Sequence, residues 1–299
     1  MLISIAAIFF LLINLFVEVP PIKPVYFFTV LPFILLTITA NSLRTIILLK
    51  VFNIRMGLRE ALDVSIVTTT CNYLMPFRGG AGFRAVYLKK KYYFPYTDFT
   101  ATLIATYLIS FTLYSLLGVG SVIFLGLGEG VLNLKLLLFF SALTILVFFC
   151  ILLGCFLKSK VRGCENKYVK YIHMALTGLN KIILKKDIFT AIIAVEMLNL
   201  FSMIFRFYLA FKALGYDISA TSSIIFAVVS MTSMLINITP AGLGVREATV
   251  SFTSKLTGLG LKAGALAGIL DRFVAVSVVG ILFLLTGYSR YAQAYKKRK

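Results

Sequence analysis

A proline followed by glycines and arginines is the part of this sequence best suited to bind a ligand. The segment runs from Asn72 through Pro76, Arg78 and Gly80 to Arg84. Proline ends a helix because it lacks an N–H group, and glycine lets the backbone turn sharply. A helix restarting after this break exposes free backbone N–H groups, which together with the arginines attract an anion such as a lipid phosphate. The alternative is that both arginines extend to lipid head groups as ordinary anchors.

A second segment repeats the pattern. Its residues follow in the order Asn237, Pro240, Gly242, Gly244, Arg246 and Glu247. The last two are adjacent, so their side chains point to different faces of a helix. One is expected to meet substrate while the other pairs across the molecule. For Glu247, a structural ion pair that fixes the helix pair is an equally open interpretation.

Charged residues also fall inside long apolar stretches. They are Arg44, Glu196, Arg206, Asp271 and Arg272. Charge inside a bilayer is costly and normally faces a partner or a wet cavity. We therefore expect Asp271 to pair with Arg206 or Arg246, and we add Arg206, Asp271 and Arg272 to the candidate substrate-binding residues. Interfacial anchoring is the alternative for Arg44 and Arg206, because both lie near the ends of their stretches.

The composition is that of a polytopic membrane protein. Of 299 residues, 60% are hydrophobic and 14% are charged, against about 25% charged in soluble domains. The formal charge of +19 is explained by basic cytoplasmic loops that face anionic lipid, so no nucleic-acid partner is expected. Four cysteines without C-x-x-C spacing and a single histidine predict neither a metal site nor a cofactor.

Six stretches are long enough to cross a bilayer, which takes about 20 apolar residues. They are roughly 2–19, 25–49, 97–118, 135–157, 188–213 and 262–287. The first lacks a basic leader, so we interpret it as a retained span. The broken regions 58–93 and 218–258 are poor simple spans, and a pair of short helices that enters and returns on one side fits each of them better. Two full crossings for each region remain an open alternative, which would leave the orientation of the other segments unchanged. The expected fold class is all-α, with six full spans plus two broken, re-entrant helix pairs.

The positions of the basic residues indicate how the chain is oriented in the membrane. They concentrate in 50–59, in 158–186 and in the tail 288–299. Lys and Arg favour the cytoplasmic side, so both termini are expected inside the cell. Apolar residues at helical spacing in 165–186 predict an amphipathic helix on the inner leaflet.

The chain contains a weak internal repeat. Arg44 and Lys50 align with Arg206 and Lys212 at a shift of 162, and Gly80 aligns with Gly244 at a shift of 164. Within a single membrane domain, 1–299, this predicts a first half at 25–118, a connector at 119–187 and a second half at 188–287. The halves would have opposite orientations, and inverted repeats with broken helices are a transporter architecture. The alternative is a duplication that serves packing alone.

Both breaks resemble the paired signatures of the flippase-like family that includes the transmembrane region of lysylphosphatidylglycerol synthases. The matching residues are Asn72, Pro76, Arg78, Gly80 and Arg84 in the first signature, and the run from Pro240 to Ala248 in the second. The resemblance implies an inner-membrane protein of prokaryotes that moves lipids between leaflets, with Arg78, Arg84, Arg246 and Glu247 on motif positions. Many members have Glu where this chain has Ala81, which argues against proton coupling through that position. We expect no soluble aminoacyl-transferase domain within these 299 residues, so the resemblance does not imply lysyl transfer.

Three functions are compatible with these features. The first is translocation of an anionic phospholipid or a polyprenyl-phosphate-linked lipid. The second is an accessory or scaffold subunit of an envelope lipid or glycan pathway. The third, a lipid-modifying membrane enzyme, is disfavoured because one histidine and 11 acidic residues show no catalytic clustering. Expected partners are anionic lipids, with envelope-biogenesis enzymes and a second copy of the chain as further candidates.

Overall fold

Nine helices and no strand make up the part of the chain that the computed structural model describes, residues 25–129, 133–160, 182, 184–233, 239 and 242–296. The helices are α1 Val25–Val51, α2 Leu58–Leu74, α3 Gly79–Tyr92, α4 Tyr96–Glu129, α5 Leu134–Lys160, α6 Lys186–Ala213, α7 Ala220–Thr232, α8 Val245–Leu256 and α9 Leu261–Lys296. The predicted span 2–19 and most of the predicted amphipathic segment 165–186 lie outside the described residues, as do Asn237 and Pro240.

Five helices are long and apolar enough to cross a membrane. Their apolar segments are Val25–Val51, Tyr96–Gly128, Leu134–Leu152, Lys186–Ala213 and Leu261–Gly287. They correspond to five of the six predicted spans. The predicted end of the third span at 118 is wrong, because α4 continues to Glu129. Gly118 serves close packing there: a Cβ atom at this position would lie 2.4 Å from the Phe140 ring of α5.

Helices α2 and α3 form the first broken pair, and they run antiparallel. At the open end, Tyr87 and Tyr92 donate hydrogen bonds to Glu60 at 2.8 and 2.7 Å, and the Lys91 ammonium lies 2.8 Å from the same carboxylate. We call these four residues the Glu60 cluster. Because it joins the start of α2 to the end of α3, the pair enters and returns at one end of the helix bundle.

Two further contacts show which other helix termini lie at the Glu60 end of the bundle. The ring of Phe52, just after α1, packs edge-on against Phe94, just before α4, with centroids 5.0 Å apart. Lys185, just before α6, donates to the carbonyl of Val51 at 3.4 Å. The end of α1 and the starts of α4 and α6 therefore lie together with the open end of the first pair.

The second broken pair, α7 and α8, opens at the opposite end. Six residues separate the end of α6 from the start of α7, so α7 starts away from the Glu60 end. The Asn133 amide, which precedes α5, donates to the carbonyl of Leu256 at 2.9 Å and fixes the end of α8 beside the start of α5. Since α4 leads away from the Glu60 end and into α5, both ends of the second pair lie at this opposite end.

Helices α1 and α6 lie side by side at the centre. Phe33 stacks on Phe205 with centroids 5.0 Å apart, and the hydroxyls of Thr37 and Ser202 are 2.7 Å apart. The first broken pair also packs against α9, and the second packs against α4. Each broken pair thus contacts the last long helix of the other half, and the space left beside α1 and α6 becomes a cavity.

Candidate anion-binding cavity

A cavity of about 290 Å³ lies inside the helix bundle. Helices α1, α2, α3, α4 and α6 supply most of its wall, and α7 and α8 contribute one residue each. Its basic lining residues are Arg44, Arg78, Arg84, Arg206 and Arg246. Glu196 is the acidic residue among the described residues that line it.

One side of the cavity contains a buried carboxylate shared by two arginines. Arg206 donates to both oxygens of Asp271, at 2.8 and 2.9 Å, and Arg246 approaches one of them at 2.6 Å. Asp271 is fully buried, and Arg246 also donates to the Ser230 hydroxyl. The sequence predicts that Asp271 pairs with one of these arginines, and the structure shows that it pairs with both. The group keeps one net positive charge.

A second buried ion pair joins α1 to α6. An Arg44 nitrogen lies 2.6 Å from a Glu196 oxygen, and the Tyr114 hydroxyl donates to the other oxygen at 2.9 Å. Arg44 also donates to the Asn41 side chain. Glu196 is fully buried. Arg44 therefore faces the cavity, and the interpretation of Arg44 as an interfacial anchor is wrong.

The first break places two arginines on the cavity wall. Arg78 donates to the Tyr107 hydroxyl and lies over its ring, 4.9 Å from the centroid. Arg84 donates a long hydrogen bond of 3.5 Å to the Thr68 hydroxyl. Within the described ranges no carboxylate pairs with Arg84, so its charge is uncompensated.

The geometry of the first break explains why α3 can approach α2 closely. The Asn72 side chain accepts a hydrogen bond from the backbone N–H of Gly80 at 3.0 Å. A Cβ atom on Gly80 would lie 2.0 Å from the carbonyl of Thr68, so only glycine fits. Asn72 lines the cavity and also stabilises the start of α3, whereas Pro76 is exposed at the tip and is not among the lining residues.

The second break is fixed by charges that lie outside the cavity wall. Glu247 lies 2.9 Å from Arg272 and accepts a hydrogen bond from the N–H of Gly244 at 3.0 Å. Arg272 also donates to the carbonyl of Gly242 at 3.3 Å. Gly242 and Gly244 have positive φ angles, 67° and 85°, which residues with a side chain rarely adopt. Glu247 and Arg272 are thus placed in an ion pair that stabilises the turn, and among the described residues of this segment Arg246 is the one that lines the cavity.

Several lining residues were missed as candidates from the sequence. Tyr107, Tyr114 and Asn199 are uncharged and lie in apolar helices, so nothing in their residue type singled them out. Asn199 is 5% exposed, and its side-chain oxygen accepts no hydrogen bond within the described structure. The spacing in α6 was a usable signal, since Glu196, Asn199 and Arg206 lie three and seven residues apart on one helical face.

The balance of charge defines what the cavity can hold. Arg44 pairs with Glu196, and Arg206 and Arg246 share Asp271. Among the described residues no carboxylate pairs with Arg84, so these lining residues carry positive charge in surplus. Uncompensated charge in a low-dielectric interior is costly. An anionic ligand with several hydrogen-bond acceptors would lower that cost, so the chemistry of the cavity is that of an anion site.

The chain belongs to the family described as the lysylphosphatidylglycerol synthase TM region, whose sequence model matches residues 1–282. The resemblance noted at the two breaks is thereby confirmed. No curated protein and no solved structure matches the sequence. Together with the five apolar helices, the family establishes a multi-pass membrane protein.

Proposed function

We propose that this protein moves an anionic phospholipid or a polyprenyl-phosphate-linked lipid between the leaflets of the membrane. The observation that carries the proposal is the surplus of positive charge around a cavity within an apolar helix bundle. A lipid phosphate must leave water to cross the bilayer, and arginines that already lie there replace its hydration. Membership of a family named for a lipid synthase supports a role with lipids.

The size of the cavity suits a head group. Sites for small ligands occupy about 300–1,000 Å³, and the cavity, at about 290 Å³, is just below the smallest of these. It would hold a phosphate and a small substituent, while the acyl or prenyl chains stay in the hydrocarbon. The free-energy cost of transfer would then be limited to removal of the polar head group from water.

The architecture supports alternating access. We propose that the two halves form an inverted repeat, and this is supported by broken pairs that open at opposite ends of the bundle. Rocking of one half against the other around α1 and α6 would expose the same arginines first to one leaflet and then to the other.

Reconstitution into liposomes tests the proposal. Phosphatidylglycerol with a fluorescent acyl chain is incorporated, and a membrane-impermeant reductant bleaches the outer leaflet. The wild type is expected to expose the inner-leaflet probe to bleaching, whereas Arg206→Gln and Arg246→Gln should lower the rate at least about tenfold, since each removes a charged donor.

The matched control is Arg59→Gln, at an exposed arginine near the start of α2. It changes the same residue type outside the cavity and is expected to leave the rate unchanged. Equal rates for all variants, or no exchange with phosphatidylglycerol and with polyprenyl phosphate alike, would refute translocation and leave the scaffold role as the better explanation.

The lipid is expected to leave the protein chemically unchanged, so we propose a carrier and not an enzyme. Mass spectrometry of the lipids extracted after the liposome assay checks this. Recovery of the unmodified probe agrees with a carrier. A product that forms only with the wild-type protein would make the third function, lipid modification, the correct one.

The Glu60 end is proposed to face the cytoplasm of the cell, in the inner membrane, with both termini on that side. Basic residues concentrate at this end, as they do in cytoplasmic loops. In a variant with its native cysteines replaced by serine, Asp217→Cys should react with an impermeant maleimide in intact spheroplasts. Arg55→Cys should react only after permeabilisation, and the reverse pattern would invert the assignment.

A further inference from the structure

The two halves of the protein neutralise their arginines differently. In the second half, the fully buried Asp271 of α9 contacts both Arg206 and Arg246. The sequence shift of 164 that aligns Gly80 with Gly244 also aligns Tyr107 of α4 with Asp271. The first half therefore has a neutral phenol where the second half has a carboxylate.

The structure shows the consequence of this difference. Tyr107 accepts a hydrogen bond from Arg78, as Asp271 accepts from its arginines, but it contributes no negative charge. Arg84 lies within electrostatic range of both Tyr107 and Arg44, and no carboxylate in the described residues pairs with it. The charge of Arg84, which no carboxylate of the described residues balances, thus lies on the side of the cavity where the first half has Tyr107 instead of an acid.

We infer that a phosphate group of the ligand occupies this place, next to Arg78, Arg84 and Tyr107, as the counterion that the first half lacks. This inference rests on the proposed function for its lipid source, but the anion site itself does not depend on transport. Arg84 supplies a guanidinium whose charge no carboxylate of the described residues balances. Arg78, which donates a hydrogen bond to Tyr107, supplies further N–H donors. The Thr68 hydroxyl, 3.5 Å from Arg84, lies beside the site as an additional donor.

The same charges define the class of head group. In the part of the chain that the structure describes, the two carboxylates that contact arginines of the cavity are already engaged, Glu196 by Arg44 and Tyr114, and Asp271 by two arginines. An ammonium group, such as that of a lysyl ester, would find no free carboxylate among these lining residues and would face a surplus of arginine charge. The site therefore selects phosphate-bearing head groups with net negative charge and disfavours aminoacylated ones.

Two substitutions of Tyr107 distinguish the effect of a negative charge on ligand binding from the effect of a changed side-chain shape. Tyr107→Asp installs the missing carboxylate next to the arginines, and Tyr107→Asn is its neutral control of equal size. Binding is measured by calorimetry on the purified full chain in detergent, with short-chain phosphatidic acid and with inorganic phosphate as probes. We expect Tyr107→Asp to bind phosphatidic acid at least about tenfold more weakly than Tyr107→Asn, because the built-in anion competes for the same donors.

Arg84→Gln provides an independent measurement if the aspartate variant does not fold. It removes the uncompensated charge and should also weaken phosphatidic acid binding about tenfold, whereas Arg59→Gln should not. Equal affinities of Tyr107→Asp and Tyr107→Asn, or of Arg84→Gln and the wild type, would overturn the site. Tighter binding of lysylphosphatidylglycerol than of phosphatidylglycerol would overturn the selectivity.

The remaining comparisons separate this inference from the proposed function. Binding of inorganic phosphate as tight as that of phosphatidic acid would identify a soluble phosphate and not a lipid as the source of the anion. Charge-dependent binding without any leaflet exchange would support the site and refute translocation. Leaflet exchange that Tyr107→Asp leaves at the wild-type rate would support translocation and refute the site.

Discussion

Asp271 is the residue on which the electrostatics of the second half depend. It is fully buried and holds two arginines, one from α6 and one from α8, at distances of 2.6–2.9 Å. Removal of one partner from a buried ion pair is strongly destabilising, because the remaining charge is left without compensation. The carboxylate therefore has a structural role as the junction of three helices, in addition to any effect on the ligand.

Asp271→Asn is expected to destabilise the protein by about 3–5 kcal/mol. It retains the shape of the side chain and leaves Arg206 and Arg246 without a carboxylate. The melting temperature in detergent measures the effect. Asp217→Asn, at an exposed aspartate after α6, is the matched control and should melt like the wild type. Equal melting temperatures for the two variants would contradict the structural role of the ion pair.

At the scale of elements, the first broken pair depends on close packing at one glycine. Gly80 lies against α2, and a Cβ atom there would be 2.0 Å from the Thr68 carbonyl and 2.6 Å from the Asn72 side chain. Neither atom can move freely, since one is backbone and the other accepts the Gly80 N–H. The position of α3, and with it that of Arg84, follows from this contact.

Gly80→Ala is expected to push α3 away from α2 and to cost about 1–3 kcal/mol, as overpacking in a closely packed site does. The variant should also lose affinity for short-chain phosphatidic acid, because Arg84 moves with α3. Gly82→Ala is the control two residues away, where nothing lies within 4 Å of the added atom. It should be neutral or more stable by up to about 1 kcal/mol. Similar losses in both variants would show that the close contact of Gly80 with α2 is not the cause.

The open end of the same pair is held by the Glu60 cluster, which responds to pH. Partial burial by itself would raise the pKa of Glu60, but hydrogen bonds from Lys91, Tyr92 and Tyr87 outweigh it and lower the pKa. Burial and the bond to Glu60 raise the pKa of Tyr92 to about 12. The cluster therefore keeps its donors protonated and its acceptor ionised across the neutral range.

A carboxylate with a lowered folded-state pKa stabilises the fold above its unfolded pKa, about 4.3, and loses this contribution as the pH falls through the folded value. The difference in melting temperature between wild type and Glu60→Gln is thus expected to be present at pH 7 and to shrink towards zero near pH 3. Asp187→Asn, at the exposed start of α6, serves as the control and should show no such difference. A difference that is the same at both pH values would exclude an ionised Glu60.

The elements were largely predictable, whereas the site was predictable only in part. Long apolar runs predicted five of the helices, since burial in lipid requires length and hydropathy that a sequence displays directly. The predicted end at 118 was wrong, because α4 continues to Glu129. The breaks were found because proline and glycine act locally. The pairing of Asp271 with arginine was predicted, but the pairs Arg44 with Glu196 and Glu247 with Arg272 were not, since they depend on how distant helices pack. Tyr107 was not identified as a site residue because it is uncharged. Its importance appears only when it is compared with Asp271, the acidic residue at the aligned position of the second half.

At the scale of the whole molecule, the contact between α1 and α6 is one of the places where the two predicted halves meet. If transport requires the halves to rock, a covalent bond across this contact should stop it. The hydroxyls of Thr37 and Ser202 are 2.7 Å apart, so sulfur atoms at these positions would be within bonding reach.

Thr37→Cys with Ser202→Cys, in a chain whose native cysteines are replaced by serine, is expected to lose leaflet exchange on oxidation and to regain it on reduction. The physical reason is that a disulfide prevents relative movement of α1 and α6 without touching an arginine of the cavity. Binding of short-chain phosphatidic acid should survive oxidation, which separates a locked carrier from a damaged site. Each single cysteine variant controls for oxidation itself and should exchange lipid at an unchanged rate. Full exchange by the oxidised double variant, with the crosslink verified by mass spectrometry, would rule out rocking at this contact and require the lipid to pass between helices that remain fixed.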